Sequence, residues 1–311
     1  MNNLSNEQNE ELKGAPMPEK EAAVEPAKEA TTESSVGQSV GQILRSSKHR
    51  KFPSWVDFFA TAGVFVLSVL LGSLLSVILM RVRGVESLTP DITFIYYLVQ
   101  MLPTIAFVVW LRLRAGRDSG IHLGLGRIHL PMVLWGVVLV MASGVVIEPL
   151  LSLFPTEAYE EVMQGIGLGG WAILSAVVAA PILEEVLFRG LIFESCGERF
   201  GKGVALIISA LLFGVIHIVP VQMINAFVVG LILGYVYLKT RSLVSVIIIH
   251  AINNAIAYAT SALFGDAANI TLRDFIQSDI AYWLVYGLST LLFVWAMWRL
   301  IKTLRDNTEL E

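Results

Sequence analysis

Charged residues are scarce in this chain of 311 residues, of which only 15% are Asp, Glu, Lys or Arg. Soluble domains usually carry about 25% of these residues. Together with a hydrophobic content of 55% and a mean hydropathy of +0.67, this deficit excludes an ordinary soluble domain. The small net charge of -4 also indicates that nucleic acid is not a partner.

Cysteine and, at the N-terminus, aromatic residues are also lacking. Cys196 is the single cysteine, which excludes an internal disulfide and a two-thiolate metal site. Residues 1–44 contain eight Glu, three Lys and no aromatic residue, so they cannot bury enough apolar surface to fold. We therefore predict a disordered cytoplasmic N-terminal tail over residues 1–50, a transmembrane helical domain over 51–303 and a short cytoplasmic tail over 304–311.

Long apolar runs are abundant, and several approach the roughly 20 residues that span a bilayer core. They predict an all-α fold, a polytopic membrane bundle of about eight transmembrane helices. The fifth and sixth spans are short, and either a tight hairpin or a pair of tilted half-helices fits them. The GxxxG pair Gly230 and Gly234 favours close packing inside the fold over dimerisation, and the oligomeric state stays open. The predicted spans are 55–80, 92–112, 131–154, 171–195, 204–219, 221–238, 243–264 and 281–300.

Lys and Arg are distributed unevenly among the predicted loops. The segment before the first span, every second loop and the C-terminal tail are rich in cations, whereas the loop after the third span has three Glu and no cation. Arg81 and Arg83, after the first span, are the exception. Because cytoplasmic loops carry an excess of Lys and Arg, we predict a multi-pass protein of the cell membrane with both termini in the cytoplasm, as in a prokaryotic inner membrane.

The fourth span contains Glu184, Glu185 and Arg189 in an otherwise apolar run. A charge at a helix centre costs about 2.5–3.5 kcal/mol, so these groups must face the interior of the bundle and be paired. Glu185 and Arg189 are four residues apart and share a face. Glu184 is turned by about 100° from that face and is free to face a different cavity.

Two more spans carry polar residues at the same helical spacing. The fifth holds Phe213 and His217, and the seventh holds His250 and Asn254. With a rise of 1.5 Å per residue, Glu184 and Asn254 lie roughly 16 Å from the cytoplasmic ends of their spans, and His217 roughly 20 Å. We therefore expect one water-filled cavity, reaching inward from the cytoplasm or open sideways to lipid, to hold them.

The three motifs resemble a known family. Glu184-Glu185-VLF-Arg189, Phe213-GVI-His217 and His250-AIN-Asn254 match, in order, the pattern EExxxR, FxxxH and HxxxN of the membrane-embedded CAAX proteases and bacteriocin-processing enzymes. This CPBP or Abi family includes the type II CAAX prenyl endopeptidases. The resemblance covers roughly residues 130–265.

The resemblance implies an intramembrane endopeptidase of the glutamic type, with no cofactor and no metal. Glu184 would activate the attacking water with help from His217, and His250 and Asn254 would stabilise the oxyanion. Glu185 and Arg189 would support the first motif. The implied substrate is a membrane-associated peptide or protein, prenylated or leader-bearing, met at the lipid bilayer.

Two alternatives stay open. The same glutamates and histidines could hold a zinc ion that activates water, although an HExxH pattern is absent from the sequence. Buried carboxylates and histidines also build proton and ion pathways, so a non-enzymatic immunity or transport-type membrane protein is the second alternative.

Overall fold

The computed structural model describes residues 52–115, 124–265 and 271–308, with the side chains of 304–308 left out. The predicted N-terminal tail, residues 1–50, lies outside these residues. Within the described part every regular element is helical, which confirms the all-α membrane bundle. The helices are α1 Trp55–Arg83, α2 Pro90–Arg114, α3 Leu130–Leu151, α4 Glu157–Ile166, α5 Gly170–Phe200, α6 Lys202–Val215, α7 Pro220–Thr240, α8 Leu243–Phe264, α9 Leu272–Ile276 and α10 Asp279–Thr308.

Seven of the described helices are long and apolar enough to cross a membrane: α1, α2, α3, α5, α7, α8 and α10. The predicted fifth span is wrong in its length, because α6 ends at Val215. Its 14 residues extend only about 21 Å, which is less than a hydrocarbon core of about 30 Å. Residues 216–219 form a turn, and α7 begins at Pro220, where the fixed φ of proline suits a first helical position.

Hydrogen bonds between helices fix which helix ends lie together. At one end, the Arg112 guanidinium donates to Ser195 Oγ at 2.8 Å, and Arg241 donates to Glu194 at 2.7 Å. We call this the basic end. It contains the starts of α1, α3, α6 and α8 and the ends of α2, α5, α7 and α10.

At the opposite end, Thr93 Oγ1 donates to the Gly165 carbonyl oxygen at 2.7 Å, and the Gly169 N–H donates to Tyr258 Oη at 2.9 Å. We call this the acidic end. The helices therefore alternate in direction, as short connections between neighbours require.

The apolar core fills the half of the bundle towards the basic end. It includes Met132, Phe193, Leu233, Tyr237 and Val246, each at most 1% exposed. The glycines of the GxxxG pair take part in this packing. A Cβ on Gly234 would lie 2.6 Å from Leu206 Cδ1, and one on Gly230 would lie 3.2 Å from Ala210 Cα. Both glycines thus let α7 approach α6 within one chain.

Candidate active site

Helix α5 is wound irregularly around the two glutamates. Residues 173–179 and 186–193 are π-helical, and the short α-helical segment Ala180–Glu185 lies between them. Such wide turns are rare and often mark functional sites. Pro181 contributes to the irregularity, because it has no N–H to donate to a carbonyl in the preceding turn.

The missing proline N–H is compensated by Asn254 on α8. In the first π-helical stretch the Ala180 N–H donates to the Ser175 carbonyl, so the Ala176 carbonyl would need the N–H of residue 181. Residue 181 is proline, and Asn254 Nδ2 donates to the Ala176 oxygen instead, at 2.8 Å. The hydrogen bond holds Asn254 in place and satisfies a carbonyl inside the membrane.

Glu185 and Arg189 form a completely buried ion pair. Arg189 Nη1 donates to Glu185 Oε1 at 2.8 Å, and both side chains are 0% exposed. Arg189 Nη2 donates to the Gly230 carbonyl oxygen on α7 at 3.0 Å. The pair is therefore anchored to two helices and lies behind the cavity rather than in its lining.

His250 connects the buried pair with Glu184. Its Nδ1 lies 2.9 Å from Glu185 Oε1, and since a carboxylate only accepts, Nδ1 carries the proton. Its Nε2 points to Glu184 and lies 3.8 Å from Oε2, beyond hydrogen-bond distance. Nε2 therefore donates a proton only when the ring is an imidazolium, in which case the charges of two carboxylates are balanced by Arg189 and His250.

Glu184 faces away from the pair, as its 100° offset from Glu185 predicts. It lines a cavity of about 530 Å³, together with His217, His250 and Asn254. Tyr97 Oη donates to Glu184 Oε1 at 3.0 Å. The structure thus brings the three motifs together, with Glu184 at the wall of a polar cavity and Glu185 behind it.

His217 lies in the turn after α6, where helix carbonyls lose their intrahelical partners. Its Nδ1 is 2.8 Å from the Phe213 carbonyl oxygen, so Nδ1 donates there and a neutral ring keeps the Nε2 lone pair free. The next residue, Ile218, has φ of 62°, which is rare for a β-branched residue and often marks a functional segment.

The Phe213 side chain is the common support of the site. Its ring packs edge-on against His217 and His250, at centroid distances of 5.3 and 5.6 Å. The guanidinium of Arg189 lies 4.6 Å from the centroid of the same ring. The first residue of the FxxxH motif therefore orients members of all three motifs.

Sequence reasoning missed Tyr97 and the Ala176 carbonyl. Tyr97 lies in α2, 87 residues before Glu184 and outside the three motifs, so no helical spacing linked the two. The only indication in the sequence that Tyr97 belongs to the site was weak, namely the pair Tyr96 and Tyr97 within an apolar span. Asn253 donates to Asn254 Oδ1 at 3.1 Å and also lines the cavity.

The cavity opens at the acidic end, so two expectations, a cytoplasmic basic end and a cavity that reaches inward from the cytoplasm, are incompatible with each other. Its lining comes from the first halves of α2, α5 and α7, from α4, from Phe213 and residues 216–219, and from the last two thirds of α8. The depth estimate located the level of the polar groups. That level fits an opening at either end, and packing decides between them.

Among the described residues, no group of three or more His, Cys, Asp or Glu side chains is placed to hold a metal ion. Glu185 Oε1 and His250 Nδ1 are engaged with each other at 2.9 Å, whereas His250 Nε2 faces Glu184 on the cavity side. The zinc alternative is therefore tested by chelation.

The architecture and the site define a polytopic helical membrane protein with a polar intramembrane cavity. The family model described as "Type II CAAX prenyl endopeptidase Rce1-like" matches residues 167–256, a range that contains all three motifs. This match confirms the resemblance to the CAAX protease and bacteriocin-processing family.

One curated relative supports the same relationship. The protein named "Putative membrane peptidase YdiL", from Bacillus subtilis (strain 168), is 28% identical over 99 residues. The aligned region is 32% of this chain and 39% of the relative, so the chain spans about two fifths of that protein's length. No solved structure matches the chain.

Proposed function

We propose that this protein is an intramembrane endopeptidase in which a glutamate activates water to hydrolyse a peptide bond. The observation that carries the proposal is the arrangement of Glu184, His217, His250 and Asn254 around one cavity. The family match over residues 167–256 gives the same reaction class.

The first step is proton abstraction. Glu184 takes a proton from a water molecule in the cavity, and the water oxygen attacks the carbonyl carbon of the substrate. The free Nε2 of neutral His217 accepts a hydrogen bond from the same water and orients it, because its Nδ1 is held by the Phe213 carbonyl oxygen. Positioned acid–base groups of this kind accelerate reactions by about 10²–10⁴-fold.

The second requirement is stabilisation of the oxyanion. Asn254 uses one amide N–H on the Ala176 carbonyl, so the other N–H is available to the oxyanion. His250 donates from Nε2 as an imidazolium while its Nδ1–H stays on Glu185. Collapse of the tetrahedral intermediate breaks the C–N bond, and the proton held by Glu184 passes to the leaving amine.

Glu185 and Arg189 are positioning residues in this mechanism. Glu185 fixes the orientation of His250 by accepting from its Nδ1–H, and Arg189 pairs with Glu185. The substrate class is a polypeptide segment at the membrane, with or without a lipid group.

Peptide mass spectrometry tests the proposal directly. Membranes from cells that produce the wild type or Glu184→Gln at equal levels are compared for new peptide ends. A peptide end that requires Glu184 supports the proposal and names the substrate. Identical peptide profiles, together with retained biological activity of the folded variant, would favour the non-enzymatic alternative.

Chelation separates the glutamate mechanism from the zinc alternative. We expect proteolysis by the purified protein to survive exhaustive treatment with a strong chelator, because no step uses a Lewis acid. Activity that is lost on chelation and restored by added zinc would sink the glutamate mechanism.

A further inference from the structure

Two carboxamide side chains on the wall of the cavity have no part in the mechanism above. Gln222 and Asn225 lie three residues apart near the start of α7, and both line the cavity that Glu184 lines. Between Pro220 and the second glycine of the GxxxG pair, they are the only residues with a nitrogen or oxygen atom in the side chain. Both side chains are half-buried, and neither forms a hydrogen bond or ion pair with another described residue.

These two amides do not hold helices together. Asn and Gln in membrane helices often do so through hydrogen bonds to a neighbouring helix, as Asn254 does with the Ala176 carbonyl oxygen on α5. Gln222 and Asn225 instead keep their donors and acceptors for the contents of the cavity. Because a polar group at membrane depth is costly without a partner, water or a ligand must supply one.

Asn225 lies at about the depth of the proposed general base. The Gly230 carbonyl oxygen on α7 accepts from Arg189 on α5, which brings these two positions close together. Asn225 precedes Gly230 by five residues, and Glu184 precedes Arg189 by five, so each lies about 7.5 Å along its helix axis from that contact. Both helices begin at the acidic end, so the two displacements have the same direction. A polypeptide whose scissile bond faces Glu184 therefore passes Asn225.

A polypeptide in this cavity needs hydrogen-bond partners for its main chain. Water can reach the scissile carbonyl carbon only where the segment is unwound, because a helix engages and shields its own peptide groups. The unwound segment exposes N–H and C=O groups that must be satisfied at membrane depth. In the proposed mechanism the motif residues act on the scissile group itself, so other side chains must satisfy the neighbouring peptide groups.

The spacing of the two carboxamides suits an extended main chain. A carboxamide donates through its NH₂ group and accepts through its oxygen, so it can pair with both the C=O and the N–H of one residue. Residues three apart on a helix have Cβ atoms about 5–6 Å apart. In an extended chain, alternate residues present their peptide groups on the same edge at about 6.6 Å, which the flexible Gln222 side chain can reach. Gln100 on α2 also lines the cavity, but on another helix it does not share this spacing.

We propose that Gln222 and Asn225 bind the main chain of an extended polypeptide beside the scissile bond, one substrate residue to each carboxamide. The inference rests on the proposed function for the identity of this polypeptide as a substrate, whereas binding itself does not require cleavage. Recognition of the main chain is independent of side chains, so any sequence preference comes from other parts of the cavity.

A comparison of peptides with peptoids tests the proposal. The probe is a mixture of short fluorescent peptides of randomised apolar sequence, because binding through the main chain does not depend on sequence. The matched probe is a peptoid mixture, in which the same side chains are attached to nitrogen and the main-chain N–H groups are absent. Binding of both mixtures to the full-length Glu184→Gln protein in lipid nanodiscs is measured by fluorescence anisotropy, since this variant is not expected to cleave the probe.

We expect this parent protein to bind the peptides about tenfold more tightly than the peptoids, as the loss of hydrogen bonds to neutral groups predicts. Adding Gln222→Met and Asn225→Leu keeps the approximate size of both side chains and should bring the ratio of the two affinities close to one. The matched control adds Gln164→Met, the same exchange on the exposed face of α4 and outside the cavity lining. It should keep the ratio of the parent.

A ratio near one in the parent would overturn the inference, and this comparison needs no substitution on α7. A doubly substituted α7 that melts at the temperature of the parent and keeps its ratio would overturn it too, as would a Gln164→Met control that loses the ratio. The mass-spectrometric comparison of membrane peptides decides the proposed function separately. Peptides preferred by a protein that cleaves nothing in cells would refute the endopeptidase and leave the binding site, and an active protease with a ratio near one would do the reverse.

Discussion

Two glutamates on α5, the partly buried Glu194 and the buried Glu184, show how the halves of the bundle differ. In the basic half, Glu194 accepts from Tyr237 Oη and from Arg241, each at 2.7 Å, so both carboxylate oxygens are engaged. In the acidic half, Glu184 accepts from Tyr97 Oη at 3.0 Å, and its Oε2 lies 3.8 Å from His250. The same Tyr–Glu hydrogen bond therefore completes one site and leaves the other available to a ligand.

The surroundings extend this contrast. The basic half is packed with buried apolar side chains, and the acidic half encloses about 530 Å³ of space lined by polar groups. Side chains around a cavity lose packing contacts. In a soluble core, each Å³ of empty volume lowers the free energy of unfolding by about 24 cal/mol. The comparison indicates that most of the buried apolar packing lies in the basic half, whereas the groups proposed for catalysis lie in the acidic half.

The largest expected effect is on catalysis by Glu184→Gln. The amide keeps the shape of the side chain and can still accept from Tyr97, but it cannot take a proton. Cleavage of the substrate should fall by about 10²–10⁴-fold, with thermal stability unchanged. A variant that folds and retains more than a tenth of the wild-type rate would break the assignment of chemistry to this residue.

Arg189→Met tests the boundary between the halves. It leaves Glu185 buried without its partner, so the free energy of unfolding should fall by about 3–5 kcal/mol. The double variant Glu185→Leu/Arg189→Met removes both charges and should recover most of that loss, whereas cleavage stays low because His250 has lost Glu185. A double variant with full activity would refute the positioning role of the pair.

Asn254→Ala removes a proposed oxyanion donor. The turnover rate should fall by about 10²–10³-fold, as for the loss of one such donor elsewhere. Asn253→Ala is the matched control, because Asn253 lines the same cavity but donates only to the Asn254 side chain. Equal losses in the two variants would count against a direct role of Asn254.

The smallest expected effects come from one substitution made in each half. Tyr97→Phe and Tyr237→Phe both remove a hydroxyl that donates to a glutamate. Hydrogen bonds to charged groups contribute about 1.5–3 kcal/mol. Tyr97→Phe should lower the cleavage rate about tenfold, whereas Tyr237→Phe should lower the melting temperature and leave the rate unchanged. An unchanged cleavage rate in Tyr97→Phe together with a reduced rate in Tyr237→Phe would contradict the contrast between the two halves.

Sequence patterns predicted the helical bundle and the level of the polar groups well, because hydropathy and helical rise depend on local residues only. The offset between Glu184 and Glu185 likewise predicted which glutamate faces the cavity. The direction of opening was not predictable, since it depends on which half the apolar side chains fill. Tyr97 was missed because its contact with Glu184 joins two helices without a fixed spacing.

The length of α6 also escaped prediction. The apolar run over 204–219 has the composition of a span, but the helix stops at Val215. Pro220 marks the boundary between the two short spans, and a tight hairpin was one of the two expected forms, but composition does not indicate the positive φ of Ile218 just before it. The consequence is functional, because that turn carries His217 into the cavity.

The hydrogen bond from Asn254 to the Ala176 carbonyl has an evolutionary consequence. Proline at position 181 leaves the Ala176 carbonyl without a backbone N–H partner, and the amide of Asn254 supplies one. A change at position 181 or 254 therefore alters the selective constraint on the other position. A lineage that replaced Pro181 with an N–H-bearing residue would be released from the structural half of this constraint. If it still retained Asn254, the proposed role of Asn254 in stabilising the oxyanion would explain the retention.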